Sequence, residues 1–308
     1  MVQEDEKIMN TTDSEPTTTA LGLNMEKFGV RDHLSMVVLG SGSRGNAYYI
    51  WNKDTAILID CGLSSKQIFL RLEQVGILHP RIDAVFITHE HTDHVSSCAI
   101  LEKKLARLGQ SPTFYMSPGT FCAAPEKCLP KNFSLIRDLQ MVEVGSIVVE
   151  AFEVPHDGTE CLGYRAGYND HWVGVITDLG DITDVVIDKM RTMTTMAFEF
   201  NHDVDMLRNS SYPPNVQERI LDWSGHLSNQ QAAEALERSI SPRLQHLILA
   251  HISEQNNCPI LAEDIARTVL ERSSHNDIVH LHVAEQHSPS PIFTVNKAPT
   301  KCLPVAMI

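Results

Sequence analysis

The chain lacks any apolar run approaching 18 residues, so its sequence offers no membrane-spanning helix. The opening stretch, MVQEDEKIMNTTDSEPTTTA, lacks the basic segment and apolar core of a secretory leader. Its seven cysteines (Cys61, Cys98, Cys122, Cys128, Cys161, Cys258 and Cys302) are odd in number and never spaced C-x-x-C. Neither a disulfide framework nor a cysteine-held zinc is expected, and free thiols in a cytoplasmic protein fit best. Positive charge is scarce as well: 25 Lys and Arg against 39 Asp and Glu leave a net charge of −14. That balance argues against a broadly basic nucleic-acid-binding surface. It leaves room for a local positive point, because two bound divalent ions would bring about four charges to one place.

What is present is the content of an α/β protein. Residues 1–32 are polar and without periodicity, and are expected to form a disordered extension. A folded domain is expected over 33–297, followed by a loose tail over 298–308. Within it, SMVVLG, NAYYIW and TAILIDCG read as strands. SSKQIFLRLEQVGI reads as a helix capped by Ser64 or Ser65, and VSSCAILEKKLARLG as a second helix ended by Gly109. A β-rich run from GSIVVEAFEVPHD to HWVGVITD follows, with a hairpin turn at Asn169-Asp170. Helices at DITDVVIDKMRT, SNQQAAEALERSI (capped by Ser228) and PILAEDIARTVLERSS then alternate with strands at TTMAFEFNHD, LQHLILAHIS and DIVHLHVAEQ. Two β-rich halves, each interleaved with helices, suggest a pseudo-duplicated domain.

Gly40, Gly42 and Gly45 stand at G-x-G-x-x-G spacing. In a dinucleotide-binding turn the third glycine opens a helix whose N-terminus receives the pyrophosphate. Here Gly45 leads into NAYYIWNKDTAILID, aromatic and β-branched, which continues as strand. The glycines therefore read as a tight turn with positive φ, and no dinucleotide is expected.

The chemistry concentrates in THEHTDH, which supplies His89, His91, Asp93 and His94. At the end of an extended segment alternate residues share a face, so His89 and His91 can address one ion. Where the chain turns, Asp93 and His94 can address a second. Imidazole mixed with carboxylate suits Zn²⁺ or Mn²⁺.

This motif resembles the metallo-β-lactamase superfamily, whose fold is a four-layer αββα sandwich of the α/β class. The resemblance implies further ligands just after apolar strands: His156 in VPHDG, Asp178 in ITDLGD and His251 in LAHIS. It implies two divalent metal ions, one on His89, His91 and His156, the other on Asp93, His94 and His251, with Asp178 bridging. His91, where a diiron relative would carry Glu, favours hydrolysis. The 73 positions between Asp178 and His251 look too few for the inserted domain of β-CASP nucleases.

SGSRGNA, FEFNHDVDMLRNSSYP, ERILDWSGHLSNQQAAEAL and LAHISEQNN together resemble the YycJ/WalJ branch over roughly 35–285. That resemblance implies a cytoplasmic 5′-to-3′ exonuclease acting on DNA ends, with a place in mismatch repair. GHLSNQQAA also resembles an element of ribonuclease Z whose histidine protonates the leaving oxygen, a role carried to His226. Asp93 and His226 are thus the expected catalytic residues. Asp60 is expected to support the metal loop. Asn201 and His202 are expected either to orient a ligand or to meet substrate, and Ser43, Arg44 and Asn46 either to bind a terminal phosphate or to remain a solvated turn. His280 and His282 alternate in an apolar strand without a following Asp-His and are expected to be structural, while His246 is isolated. The other readings are an RNA-processing nuclease, a hydrolase of small esters or cyclic phosphates, and a non-catalytic regulatory protein.

Overall fold

The computed structural model describes residues 33–273 and 278–295. The expected N-terminal extension and the whole of the expected tail, Cys302 included, lie outside the described residues.

Alternation of buried side chains dictates the layering. In β1 (Ser35–Gly40), Val37 and Leu39 pack against helices, while Met36 and Val38 face the opposite sheet. β2 (Ala47–Trp51) pairs antiparallel with β1 and β3 (Ala56–Ile59) antiparallel with β2, and β4 (Ala84–Phe86), β5 (Thr113–Met116) and β6 (Phe133–Leu135) then run parallel to β3. The second sheet repeats this plan. β7 (Met141–Val144), β8 (Ile147–Glu153), β9 (Leu162–Tyr168) and β10 (His171–Ile176) are antiparallel neighbours. β11 (Thr195–Glu199), β12 (His246–Ala250) and β13 (His280–Val283) follow β10 in parallel. β14 (Phe293–Thr294) returns to pair with β1, completing two seven-stranded sheets. Asn169, at φ +53°, turns β9 into β10 where the hairpin was expected.

Three apolar clusters separate four layers. α1 (Ser65–Gln74), capped by Ser64, is followed by the single turn α2 (Thr92–Val95) and by α3 (Cys98–Arg107). Ile68 and Leu72 of α1 and Leu101 and Leu105 of α3 cover the outer face of the first sheet. α4 (Pro118–Ala123) was not foreseen from sequence. Between the sheets, Tyr48, Ile57 and Phe86 meet Val149, Tyr164, Val175 and Ile248. On the far face lie α5 (Asp184–Met190), α8 (Asn229–Ser239) and α9 (Pro259–Arg272), after the short α6 (Val204–Arg208) and α7 (Pro214–Leu221). Ser228 and Gln231 form a capping box that starts α8. Every residue of β11 and β12 is buried, as expected for central parallel strands covered on both faces.

The glycines earn their positions at the closing edge. Gly42 and Gly45 have φ +130° and +137°. A Cβ on Gly45 would lie 2.9 Å from the Gly62 backbone, and one on Gly62 only 1.5 Å from the Asp93 carbonyl oxygen. Two backbones thus meet directly beneath the His-rich loop, with no room for a side chain between them.

Candidate metal centre

Each candidate side chain sits on a loop that leaves the carboxyl end of a strand. Asp60 follows β3, His89 to His94 follow β4, His156 follows β8, Asp178 follows β10, and His251 follows β12. Ligands of α/β sheets gather at such ends, because the strands stop there and the loops turn away. Asp60, Asp178 and His251 adopt φ of +59°, +61° and +54°, a left-handed conformation uncommon for residues other than glycine. Three such residues at one site indicate backbone bent to aim side chains.

All seven candidate ligands converge. Donor atoms of His89, His91 and His156 lie within 4.8 Å of one another, and so do those of Asp93, His94 and His251. Asp178 stands between the two groups: Oδ2 is 3.4 Å from His94 Nε2, and Oδ1 is 3.4 Å from His251 Nε2 and 3.9 Å from His156 Nε2.

A ring of hydrogen bonds fixes which imidazole nitrogen faces inward. His94 Nδ1–H donates to Asp60 Oδ2 at 2.8 Å, His156 Nδ1–H to the Gly225 carbonyl at 3.0 Å, and His251 Nδ1–H to Glu199 Oε1 at 3.1 Å. His89 Nδ1 lies 3.0 Å from Thr88 Oγ1. The Nε2 atoms of His94, His156 and His251 are thereby turned toward the centre. His89 Nε2, His251 Nε2 and Asp178 Oδ2 are buried without a hydrogen-bond partner. Buried polar atoms are nearly always satisfied, so orphans converging on one point fit a cation. Imidazoles with carboxylates suit a borderline divalent ion.

Electrostatics agree with that fit. Burial would drive His251 toward neutrality, but Asp178, Asp93 and Glu199 raise it to about 10. His94 is likewise held well above its ordinary value, against burial, by Asp60, Asp178 and Asp93. Burial and neighbouring imidazoles push His89 well below the ordinary range. For Asp178, burial is outweighed by His251, His94 and His156, and its carboxyl is lowered. The carboxylates of Asp60, Asp93, Asp178 and Glu199 stand among these rings in a largely buried space, which favours a cation there.

The remaining candidates separate by position. Asp60 is fully buried; besides His94, it accepts from the Thr88 backbone N–H at 2.9 Å and the Thr88 hydroxyl at 3.0 Å. Asn46 does not reach the cleft as a phosphate ligand. It is fully buried, with Nδ2 2.9 Å from His94 Nε2 and 3.3 Å from Asp93 Oδ2, because the glycine turn folds it beneath the metal loop. Arg44 points to the surface, where its Nε donates to Glu254 at 3.1 Å. Ser43, Asn201 and His226 do line a cavity of about 200 Å³ with Tyr212, Arg219 and Ser253. His202 does not line it; that ring is fully buried, and its carbonyl accepts from Asn229 N at the start of α8. Burial lowers the His202 pKa to about 4. His280 stacks on His246 across β12 and β13 at 5.6 Å, and with His282 it lies outside the donor groups.

Two residues at the centre carry no motif in the sequence. Glu199 is fully buried, and its Oε1 receives both His251 Nδ1–H and, at 2.8 Å, His226 Nδ1–H. Against its own burial, those two rings hold its carboxyl below the usual range. A glutamate inside the otherwise apolar β11 was the available signal, since such a group is rarely fully buried unpaired. Asp157 also approaches the donors: its Oδ1 is 3.3 Å from His156 Nε2 and 3.5 Å from His91 Nε2, and its Oδ2 accepts from Arg219.

Comparison with known proteins agrees with this architecture. The β-lactamase superfamily domain matches residues 55–252. Exodeoxyribonuclease YycJ of Bacillus anthracis is 31% identical over 264 residues, covering 84% of this chain and 98% of the relative. Exodeoxyribonuclease WalJ of Streptococcus pneumoniae (strain D39) is 33% identical over 230 residues, covering 73% of this chain and 84% of the relative. Among solved structures, the metallo-β-lactamase fold protein YhfI from Bacillus subtilis superposes with a TM-score of 0.63 at 16% identity, covering 86% of this chain and all of that one. With two mixed sheets between helical layers and matches over most of its length, the chain belongs to the metallo-β-lactamase superfamily of metal-dependent hydrolases, beside the YycJ and WalJ exodeoxyribonucleases.

Proposed function

We propose that this chain is a dinuclear metal-dependent phosphodiesterase that degrades DNA from its ends, in the 5′-to-3′ direction. The observation that carries the reading is the pair of donor groups, His89/His91/His156 and Asp93/His94/His251, with Asp178 reaching toward both. Two ions, Zn²⁺ or Mn²⁺, would be held there; when bound, such a pair supplies Lewis acidity and lowers the pKa of water.

The chain's own residues do the remainder. Asp60, Glu199 and the Gly225 carbonyl orient the ligand rings. His226 lines the substrate cavity, with its Nδ1 engaged by Glu199, so the proton given to the departing oxygen is the one on Nε2. Ser43, Asn201 and Ser253 offer neutral polar groups to a phosphate, while Arg219 is tied to Asp157. So small a cavity suits a strand end. An acidic enzyme that grips only a few phosphates tolerates its net charge, with binding that weakens as salt rises.

The relatives' names favour DNA over RNA. Polarity, a place in DNA repair and a cytoplasmic setting rest on the resemblance to the YycJ/WalJ branch. The test is digestion of end-labelled single-stranded and duplex DNA and RNA, after chelation and resupply of Mn²⁺ or Zn²⁺. Metal-restored release of nucleotides from DNA ends is expected. Full metal occupancy without cleavage of any linear DNA would overturn the reading.

A further inference from the structure

A second cavity, of about 330 Å³, is lined in part by Pro155, the residue before His156, and the chemistry above does not use it. Pro155, Thr183, Val185 and Trp223 line it, with Asp138 and Glu153. Its volume is at the lower end of the range for small-molecule sites, about 300–1,000 Å³. Trp223 is 68% exposed, unusual for so large an aromatic surface.

Its exposure does not reflect a loose loop. Gly225 N–H donates to the Asp222 carbonyl at 2.8 Å, closing a turn around Trp223, and His226 N–H donates to Ile220 at 3.0 Å. The Gly225 carbonyl accepts from His156 Nδ1 at 3.0 Å. The turn also rests on Gly180, where a Cβ would lie 2.3 Å from the Trp223 carbonyl oxygen and 2.4 Å from Gly225 N. Pro155 precedes His156, and its carbonyl accepts from Gly180 N at 2.8 Å. The indole is therefore displayed by the turn that orients one candidate ligand and leads directly into His226. Pro155, which lines its cavity, stands next in the chain to the candidate ligand His156.

We propose that this cavity is a stacking station for the nucleobase next to the scissile phosphodiester, with Trp223 as its platform. The inference rests on the nuclease reading and names where the base goes. Every base offers a π-face, so an exposed indole beside the reacting phosphate holds a strand without choosing its sequence. Val185 and Pro155 supply apolar walls for the base, and the Asp138 and Glu153 carboxylates complement its N–H groups. Those carboxylates repel phosphate, which directs the backbone to the cavity lined by Ser43, Asn201 and Ser253.

The test compares kcat/KM of the metal-loaded full chain on oligonucleotides whose terminal nucleotide is either base-bearing or abasic. From wild type to Trp223→Ala, the base-bearing to abasic ratio should fall about tenfold or more, mainly through KM. Trp223→Phe should recover much of it. Indole fluorescence of the Zn²⁺-loaded protein should be quenched by a cleavage-resistant phosphorothioate strand, and Trp223→Ala should lose that quenching. Slowing of both substrates by the same factor would assign Trp223 to turn structure and overturn the station. Equal wild-type rates on the two ends would do the same while leaving the nuclease reading intact. Quenching by base-bearing strands without cleavage of any of them would support the station and overturn the nuclease reading.

Discussion

The two halves of the sandwich share a strand plan and differ in how they deliver chemistry. The first half concentrates it: four candidate ligands, His89, His91, Asp93 and His94, come from six consecutive residues beyond β4. The second half disperses it, with His156, Asp178 and His251 on three separate strand ends and Glu199 inside a fourth strand. Their supports differ in the same way. Asp60 serves one ring, His94, whereas Glu199 serves both His251 and His226. A local loop can be built from few neighbours, but a dispersed set depends on shared anchors that hold several strand ends in common register.

The largest effect expected from breaking this arrangement falls on the concentrated half. Asp93→Ala or His89→Ala should abolish turnover, a loss on the order of a thousandfold or more for a group acting directly on the reaction. Far-UV circular dichroism and metal-free thermal unfolding should still report a folded chain. Retained nuclease activity in either purified variant would defeat the assignment.

A smaller effect sharpens the contrast between supports. Asp60→Asn and Glu199→Gln should each cost about 10–100-fold, the usual range for groups that orient metal ligands. Asp60→Asn should act mainly through metal affinity, measured by competition with a chromophoric chelator. Glu199→Gln should also change the pH profile of kcat at saturating metal, because it releases His226 as well as His251. Identical pH profiles for the two variants would mean that Glu199 is no more than a counterpart of Asp60.

The smallest effect lies outside the centre, at His246. Burial, reinforced by the neighbouring His280, lowers its pKa to about 4 from the ordinary 6.5. Folding therefore favours the neutral ring. The stabilisation is fully present above about pH 6.5 and is lost as pH falls toward 4, because the unfolded chain takes up a proton there first. Urea unfolding at pH 7 and at pH 4.5 should show a smaller acid loss for His246→Gln than for wild type. Equal losses in the two proteins would count against it.

How much of this could be read in the sequence follows from the same contrast. THEHTDH is legible because contiguous ligands must share a loop, whatever the remainder of the chain does. The strands and the long helices are legible too, through continuous apolar runs in β1, β11 and β12 and a capping serine before α8. The short elements α4, α6, α7 and β14 are not, since so few residues carry too little periodicity, and their conformation comes from packing against neighbours.

The sequence by itself determined the ingredients: a metal-binding loop, further His and Asp after apolar strands, and glycines with no helix to receive a dinucleotide. Only the tertiary structure decided what they do together. It turned Asn46 inward beneath His94, buried His202 against the start of α8, made Glu199 the anchor of two rings, and set Trp223 in the turn whose Gly225 carbonyl holds His156. The physical reason is that a hydrogen bond or a shared cation depends on separation in space and on orientation. For strand ends dozens of residues apart, both are set by the register of two sheets packed face to face.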